Sequence, residues 1–212
     1  MIELKNLSKS YGDKIIYTNF NLKIEDGETV AILGNSGCGK TTLLNIMANL
    51  TDFNGEVIGI DNPSFVFAED RLLPHKTVKE NLLFVNKVKD VSYMLEKVGL
   101  KEYENAYPKE LSTGMARRVS VLRAFCYDSS VMLLDEPFRN LDLALKYKLM
   151  DFFLELKKVD KKTAIFVTHD PDEAVYIADR VIVLEDGNVV FDERIKDREE
   201  SFNNLKKILI KK

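Results

Sequence analysis

A glycine-rich segment between an apolar run and a helix-forming run constrains this chain more than any other feature of its sequence. Residues 34–41 match the pattern G-x-x-x-x-G-K-[ST], in which glycines let the backbone wrap a phosphate with its N–H groups. The run Thr29–Leu33 before it is nearly continuously apolar, as in a buried central strand, and Thr42–Ala48 after it predicts a helix. The sequence therefore predicts a phosphate-binding loop between a strand and a helix N-terminus.

Within this loop, two side chains have distinct chemistry. Lys40 can reach the β- and γ-phosphates of a nucleotide, and the hydroxyl of Thr41 can hold Mg²⁺. The candidate nucleotide-binding residues of the segment are Gly34, Asn35, Ser36, Gly37, Cys38, Gly39, Lys40, Thr41 and Thr42. Any sequence can match such a pattern by chance, but here the strand and the helix that the motif requires both flank it.

Two adjacent acids, Asp135 and Glu136, follow a second apolar run, Val131–Leu134. The carboxyl end of a buried strand is where α/β folds bind ligands. Asp135 suits the Mg²⁺ shell, and Glu136 suits a general base that activates the attacking water. Alone, the pair could equally be a solvated acidic turn, but together with a phosphate loop the catalytic interpretation is favoured.

The segment Leu111–Met115 places a serine and a glycine before a helical run at 116–125. A small hydroxyl and a glycine at a helix N-terminus make a second anion site. Ser112 also fits a simple N-cap, and for the segment alone that interpretation is the better one. The chain thus offers two anion sites but only one lysine-bearing loop.

Strands and helices alternate along much of the remaining chain. The segments Ile2–Lys5 and Phe20–Ile24 alternate apolar and polar residues, as half-buried strands do. A further buried strand is predicted at Ala164–Val167 and a hairpin over Val181–Phe191. Strands that alternate with helices indicate an α/β fold with a mainly parallel sheet covered on both faces.

The middle of the chain is different in character. Apolar residues from about Pro74 to Asp128 fall at helical spacings, which predicts a helical lobe inserted into the α/β core. We expect one domain over residues 1–212, with a core of residues 1–73 and 129–212 and a lobe of residues 74–128. The tail from Asp197 predicts a helix that packs on the core, with a partner- or membrane-binding helix as the alternative.

The composition is that of an ordinary globular protein, with 45% hydrophobic and 31% charged residues. A net charge of -3 gives no electrostatic case for binding nucleic acid. No signal peptide is recognisable, and no apolar run approaches the roughly 20 residues that span a bilayer. We expect a cytoplasmic protein that would serve a membrane only through a partner. The two cysteines form no zinc-binding or disulfide pattern.

Taken together, these segments resemble the nucleotide-binding subunits of ABC transporters over nearly the whole chain. The resemblance identifies residues 34–41 as Walker A, 111–115 as the signature loop, 131–136 as Walker B, 140–142 as the D-loop with Asp142, and 168–170 as the switch loop with His169. Tyr11 stands where the family has an aromatic residue that stacks on adenine.

The resemblance implies a P-loop NTPase core with an N-terminal antiparallel β subdomain, and ATP and Mg²⁺ as cofactors. It implies head-to-tail pairing, as a homodimer or with another ATPase subunit, so that each ATP lies between the Walker A of one subunit and the signature of the other. The residues acting in trans would be Ser112, Thr113, Gly114 and Met115, and His169 would contact the γ-phosphate. The other implied partners are membrane permease subunits and, indirectly, a substrate-binding protein, at the inner face of the cell membrane.

Two residues depart from the family pattern. Thr113 stands where the signature usually has glycine, and a hydroxyl there retains affinity for anions. Ala68 stands where the family has a glutamine that contacts Mg²⁺ and water. We expect this change to affect the rate and the coupling to a permease rather than ATP binding. Glu69 could supply a replacement ligand, although a neighbouring side chain in an extended segment points elsewhere.

Residues 69–74, with Thr77, Val78 and Asn81, are similar to the ATPases of nitrate, sulfonate, taurine and thiamine-precursor importers. This resemblance implies an ATP-hydrolysing subunit of an importer for a small anion or organic solute. Two alternatives stay open. A soluble ABC ATPase without a transport role would usually carry tandem cassettes, long coiled-coil insertions or basic arms. A low-turnover regulatory subunit is favoured only by Ala68.

Overall fold

The computed structural model describes residues 1–85 and 90–210. The strands are β1 Ile2–Tyr11, β2 Lys14–Ile24, β3 Thr29–Gly34, β4 Asn54–Ile58, β5 Ser64–Val66, β6 Val131–Asp135, β7 Thr163–Val167, β8 Arg180–Glu185 and β9 Asn188–Arg194. The helices are α1 Lys40–Met47, α2 Val78–Leu83, α3 Val91–Lys97, α4 Thr113–Cys126, α5 Leu143–Asp160, α6 Pro171–Ile177 and α7 Arg198–Ile210. Short 3₁₀ helices lie at Lys101–Tyr103 and Pro108–Glu110.

Within these described ranges, the strands form a six-stranded and a three-stranded sheet. The larger has the order β5-β6-β7-β3-β8-β9, in which the first five strands pair in parallel and β9 runs antiparallel to β8. The smaller has the order β2-β1-β4 and is antiparallel. The predicted α/β class, with a mainly parallel sheet and a separate antiparallel β part, is confirmed.

Successive side chains of the central strands point into two different hydrophobic cores. Val30 and Ile32 of β3 face the core that α1 shares with the antiparallel sheet. Ala31 and Leu33 face the core that contains α4 and α5. Both faces of the parallel strands are therefore covered, and this is why they occur in the sequence as continuous apolar runs rather than as alternating ones.

Helices and turns make up the described residues between 74 and 128, and no strand occurs among them. A capping box starts α2, since the Thr77 hydroxyl accepts from the Glu80 N–H while the Glu80 side chain accepts from Thr77. Residues 86–89, which belong to the predicted lobe, lie outside the described residues. Among the residues described, no helix has the length and hydropathy needed to cross a bilayer.

The strands β4 and β5 differ from the expectation from the sequence, whereas the helix α7 agrees with it. The strands β4 and β5 were not predicted, because β4 is mostly exposed and lacks alternation, and β5 has only three residues. Gly55 in β4 lies so close to β1 that a Cβ there would be 2.5 Å from the Lys5 carbonyl oxygen. In α7, Leu205 is buried in the same core as α4, so the tail helix packs on the core as predicted.

Candidate active site

The phosphate loop runs from the end of β3 to the start of α1, and two of its glycines are required by close contacts. A Cβ on Gly34 would lie 2.3 Å from the Leu184 carbonyl oxygen, and Gly34 has φ 151°. A Cβ on Gly39, at φ 108°, would lie 2.7 Å from the Tyr17 hydroxyl. Only glycine fits at these two positions without displacing backbone or a buried side chain.

Lys40 lies folded over this loop. Its ammonium donates to the carbonyl oxygens of Gly34 at 2.7 Å and of Asn35 at 2.8 Å. Buried Tyr17 supports the loop from below, since its hydroxyl donates to the Gly39 carbonyl oxygen at 2.9 Å. The loop therefore has a positive charge on one side and a hydrogen-bonded support on the other, an arrangement suited to a phosphate group.

Thr41 and Asp135 bring together oxygens suited to a divalent cation. The Thr41 hydroxyl donates to an Asp135 carboxylate oxygen at 2.8 Å. Burial raises the pKa of the Asp135 carboxyl, while the Thr41 hydrogen bond acts in the opposite direction. A hydroxyl and a buried carboxylate are hard oxygen ligands that fit Mg²⁺. Asp135 and Thr41 would hold this ion next to the phosphate loop.

Glu136 follows Asp135 in a left-handed conformation, with φ 47°. Its N–H donates to the Val167 carbonyl oxygen at 2.9 Å, which fixes it at the end of β7. One carboxylate oxygen lies 3.2 Å from Nδ1 of His169, and the other lies 3.6 Å from Nη1 of Arg139. Two partners thus hold the carboxylate at the carboxyl edge of the sheet.

A cavity of about 390 Å³ is lined by the phosphate loop together with Asp135 and Glu136. The predicted site residues that line it are Tyr11, Ser36, Gly37, Gly39, Lys40, Thr41, Thr42, Asp135 and Glu136. Of the other loop residues, Asn35 and Cys38 line an adjoining cavity of about 470 Å³, and Gly34 ends β3. Tyr11 is half exposed at the rim, where its ring could stack on a base, and the Lys9 ammonium lies 4.6 Å from its centroid.

A larger cavity of about 770 Å³ lies near the opposite ends of the parallel strands and contains none of the predicted site residues. Among the groups lining it are Asp128, Asp160 and Lys162. The Lys162 ammonium already donates to the carbonyl oxygens of Phe125 and Tyr127. The cavity of about 390 Å³, where the phosphate loop meets Asp135 and Glu136, is therefore the candidate active site.

The residues of the predicted signature loop do not line the cavity of about 390 Å³. Ser112 is the N-cap of α4, and its hydroxyl accepts from the Met115 N–H at 3.2 Å. Ser112 and Thr113 are exposed, and Gly114 is so close to the Asn140 carbonyl oxygen that a Cβ would be 3.0 Å from it. The signature loop thus packs against the segment that leads to Asp142, which caps α5.

The loop that contains Ala68 is held by its backbone. Arg117, which is buried, donates to the carbonyl oxygens of Phe67 at 2.6 Å and Ala68 at 3.1 Å. Arg139 donates to the same Ala68 oxygen at 3.1 Å. The Ala68 side chain is partly buried, whereas Glu69 is exposed.

Sequence reasoning missed four residues of this region: Tyr17, Lys14, Arg117 and Arg139. Lys14 lines the cavity of about 390 Å³, as Tyr11 does. Arg117 lies two residues after the segment 111–115, and Arg139 lies between the segments 131–136 and 140–142. The signal available in the sequence was a charged residue next to a motif. Tyr17 gave no such signal, because a buried tyrosine in a strand looks in the sequence like an ordinary core residue.

Comparisons with known proteins show the family to which this chain belongs. The ABC transporter family profile matches residues 17–139. An aliphatic sulfonates import ATP-binding protein, SsuB, of Bacillus thuringiensis subsp. konkukian (strain 97-27) is 43% identical over 195 residues, which cover 85% of this chain and 78% of that protein. SsuB 2 of Pseudomonas syringae pv. tomato (strain ATCC BAA-871 / DC3000) is 43% identical over 182 residues, covering 83% of this chain and 78% of that protein.

A solved structure shares the fold. It is the ATP-binding cassette MJ0796, a dimer in a post-hydrolysis state bound to ADP and Pi, with a TM-score of 0.81 and 32% identity. The match covers 93% of this chain and 100% of that one. The chain therefore belongs to the ABC transporter family, and it is an ATPase of the ABC type.

Proposed function

We propose that this chain is the ATP-hydrolysing subunit that drives a membrane importer for a small organic anion of the sulfonate type. The observation that carries the catalytic part is the single cavity in which Lys40, Thr41, Asp135 and Glu136 meet. The import direction and the class of solute are supported by the names of the SsuB relatives.

In this proposal the phosphate loop binds the triphosphate of ATP. The loop amides and the N-terminal end of α1 face the phosphate oxygens. Lys40 exchanges the carbonyl oxygens of Gly34 and Asn35 for the β- and γ-phosphates, where it neutralises charge that grows as the γ-phosphoryl group leaves. Tyr11 stacks on the base at the rim of the cavity.

Glu136 is proposed as the general base. Its carboxylate accepts a proton from the water that attacks the γ-phosphate, and His169 contacts that phosphate while it holds one carboxylate oxygen. Thr41 and Asp135 would hold Mg²⁺, which would supply positive charge to neutralise the phosphates. The 3.2 Å contact between His169 and Glu136 supports this division of roles.

We propose that two subunits pair head to tail across the nucleotide. Ser112 and Thr113 are exposed and do not line the cavity of their own chain, so they are available to a partner's ATP. Asp142, which is exposed, and Gly114 and Met115, which are partly exposed, are proposed to contact the partner as well. The dimeric cassette bound to ADP and Pi supports pairing, whether the partner is a second copy or another ATPase subunit.

A permease is proposed to bind where the core of residues 1–73 and 129–212 meets the helical lobe of residues 74–128. An apolar cavity of about 280 Å³ lies there, lined by Phe65, Phe67 and Phe84 among others. Phe84, which lines this cavity, is exposed, and so is its neighbour Leu83. Such a partner would hold the chain peripherally at the inner membrane face, with a substrate-binding protein acting on the far side.

One observation favours a second candidate, a subunit with low turnover that regulates a transporter. Ala68 lacks the polar side chain that would contact Mg²⁺ and the attacking water. Glu136 and His169 remain in contact, which favours the catalytic proposal. The rate of phosphate release at saturating ATP distinguishes the two candidates.

The test of the proposed function is phosphate release by variants of the two central residues. We expect Lys40→Ala and Glu136→Gln each to lower kcat by roughly a hundredfold or more. Glu136→Gln should still bind ATP and should accumulate as a dimer with ATP and Mg²⁺ on sizing chromatography. The exposed residues Lys101 and Glu199 provide matched controls as Lys101→Ala and Glu199→Gln. Turnover within twofold of wild type for either active-site variant would refute the assignment.

A further inference from the structure

The turn that follows Glu136 is fixed by a buried aromatic residue. The Phe138 ring lies 6.4 Å from that of Phe153 and 6.3 Å from that of Phe166, both edge-on. The Arg139 N–H also donates to the Glu136 carbonyl oxygen at 3.2 Å. Because Phe138 is anchored in the core, the residue after it has a defined direction.

The Arg139 guanidinium therefore lies between the loop that contains Ala68 and the residue that follows β6, Glu136. Nη2 donates to the Ala68 carbonyl oxygen at 3.1 Å, and Nη1 lies 3.6 Å from a carboxylate oxygen of Glu136. Arginine suits this place, since its planar fork reaches two acceptors at once. One side chain thus connects the backbone of the Ala68 loop with the acid that follows β6.

The Ala68 carbonyl oxygen also accepts a hydrogen bond from a second guanidinium. Arg117, from α4, donates to it at 3.1 Å and to the Asp135 carbonyl oxygen at 3.3 Å. The loop, the signature helix and the end of β6 are therefore joined through main-chain oxygens. None of these contacts depends on which side chain residue 68 carries.

We propose that Arg139 is a positioning residue for Glu136. It fixes the Glu136 carboxylate relative to the Ala68 backbone. The loop that contains Ala68, beside the cavity proposed to face the permease, thus stays connected to the general base although the Ala68 side chain is apolar. This inference rests on the proposed function, because it takes Glu136 as the general base.

The contacts of Glu136 explain why one arginine has this effect. His169 holds one carboxylate oxygen and Arg139 holds the other, so the two partners together fix the plane of the carboxylate. Without Arg139 the carboxylate can rotate about the remaining contact. A base that leaves its productive geometry lowers the rate of the chemical step but leaves the phosphate loop intact.

The test compares Arg139→Ala, Arg139→Lys and the exposed control Arg198→Ala in ATP turnover. We expect Arg139→Ala to lower kcat by roughly tenfold or more, a part of the 10²–10⁴ that a general base contributes. KM for ATP should stay within twofold, and the melting temperature should be unchanged. Arg139→Lys should be intermediate, because an ammonium pairs with Glu136 but cannot also reach Ala68. The control should behave as wild type.

A second measurement asks whether Arg139 acts through Glu136. Residual single-turnover hydrolysis is measured for Glu136→Gln with and without Arg139→Ala. We expect the added substitution to change the residual rate by less than twofold. Reductions that multiply, or an Arg139→Ala enzyme with unchanged or raised kcat, would overturn the positioning role while leaving the proposed function standing. Full turnover by Glu136→Gln would instead remove the proposed function itself.

Discussion

The hydroxyl of Thr41, in the first turn of α1, donates a 2.8 Å hydrogen bond to the carboxylate of Asp135, at the end of β6. The two residues meet because β3 and β6 are parallel neighbours of β7 and end at the same edge of the sheet. Burial raises the pKa of the Asp135 carboxyl. A divalent cation at this pair would favour the ionised carboxylate.

The first prediction concerns the metal. Asp135→Asn keeps the shape and the hydrogen bond to Thr41 but removes the negative charge. We expect the Mg²⁺ concentration for half-maximal turnover to rise at least about tenfold, since a carboxylate is a much better ligand than an amide for this ion. Binding of ATP without Mg²⁺ should be retained. An unchanged Mg²⁺ titration of phosphate release would show that Asp135 is not a metal ligand.

The second prediction concerns the support of the phosphate loop. Tyr17→Phe removes the hydroxyl that donates to the Gly39 carbonyl oxygen, which then keeps only the hydrogen bond from the Leu43 N–H. We expect a loss of about 0.5–1.5 kcal/mol in the free energy of unfolding, and a KM for ATP raised a few-fold. The melting temperature should fall by about 2–5 °C. The exposed Tyr103 gives the matched control, Tyr103→Phe, in which neither quantity should change.

The third prediction separates two roles of Ser112. Aspartate caps a helix as well as serine does, so Ser112→Asp preserves the start of α4. It also places a negative charge where the partner's γ-phosphate is proposed to bind. We expect normal melting but loss of ATP-driven pairing, measured in the Glu136→Gln background by sizing chromatography. If Ser112 is only an N-cap, pairing will persist at wild-type concentrations.

Much of this fold follows from local patterns. The apolar runs of β3, β6 and β7 are continuous because both faces of each strand are buried. The phosphate loop was predictable because its chemistry is contained in eight consecutive residues. In β4, by contrast, the residues are mostly exposed and their strand conformation depends on pairing with β1, which no local pattern records.

The side-chain contacts of the site were harder to foresee. Arg139 and Ala68 are 71 positions apart, and the contact between them runs to a main-chain oxygen. Main-chain acceptors carry no residue identity, so the sequence indicates only that Ala68 lacks a polar side chain. Tyr17 and Gly39 present the same difficulty, because the hydroxyl again binds a carbonyl oxygen.

The last prediction is that Ala68→Gln speeds this enzyme. The backbone at residue 68 is held by Arg117 and Arg139, so a longer side chain is added without moving the loop. Glutamine would offer a carbonyl oxygen to Mg²⁺ and a hydrogen bond to the attacking water. One positioned polar contact in a closed site is worth roughly 1–3 kcal/mol, which permits an increase in kcat of up to about a hundredfold. We expect a several-fold increase, with KM little changed.

Glu69→Ala is the matched variant for this prediction, because Glu69 is the neighbouring residue that could supply a ligand in place of glutamine. Its side chain is exposed, whereas Ala68 is partly buried, so we expect Glu69→Ala to have a mild effect. Both variants are compared with wild type in phosphate release at saturating ATP and Mg²⁺. If Ala68→Gln leaves kcat unchanged while Glu69→Ala stops turnover, Glu69 has taken the role that we assign to the missing glutamine.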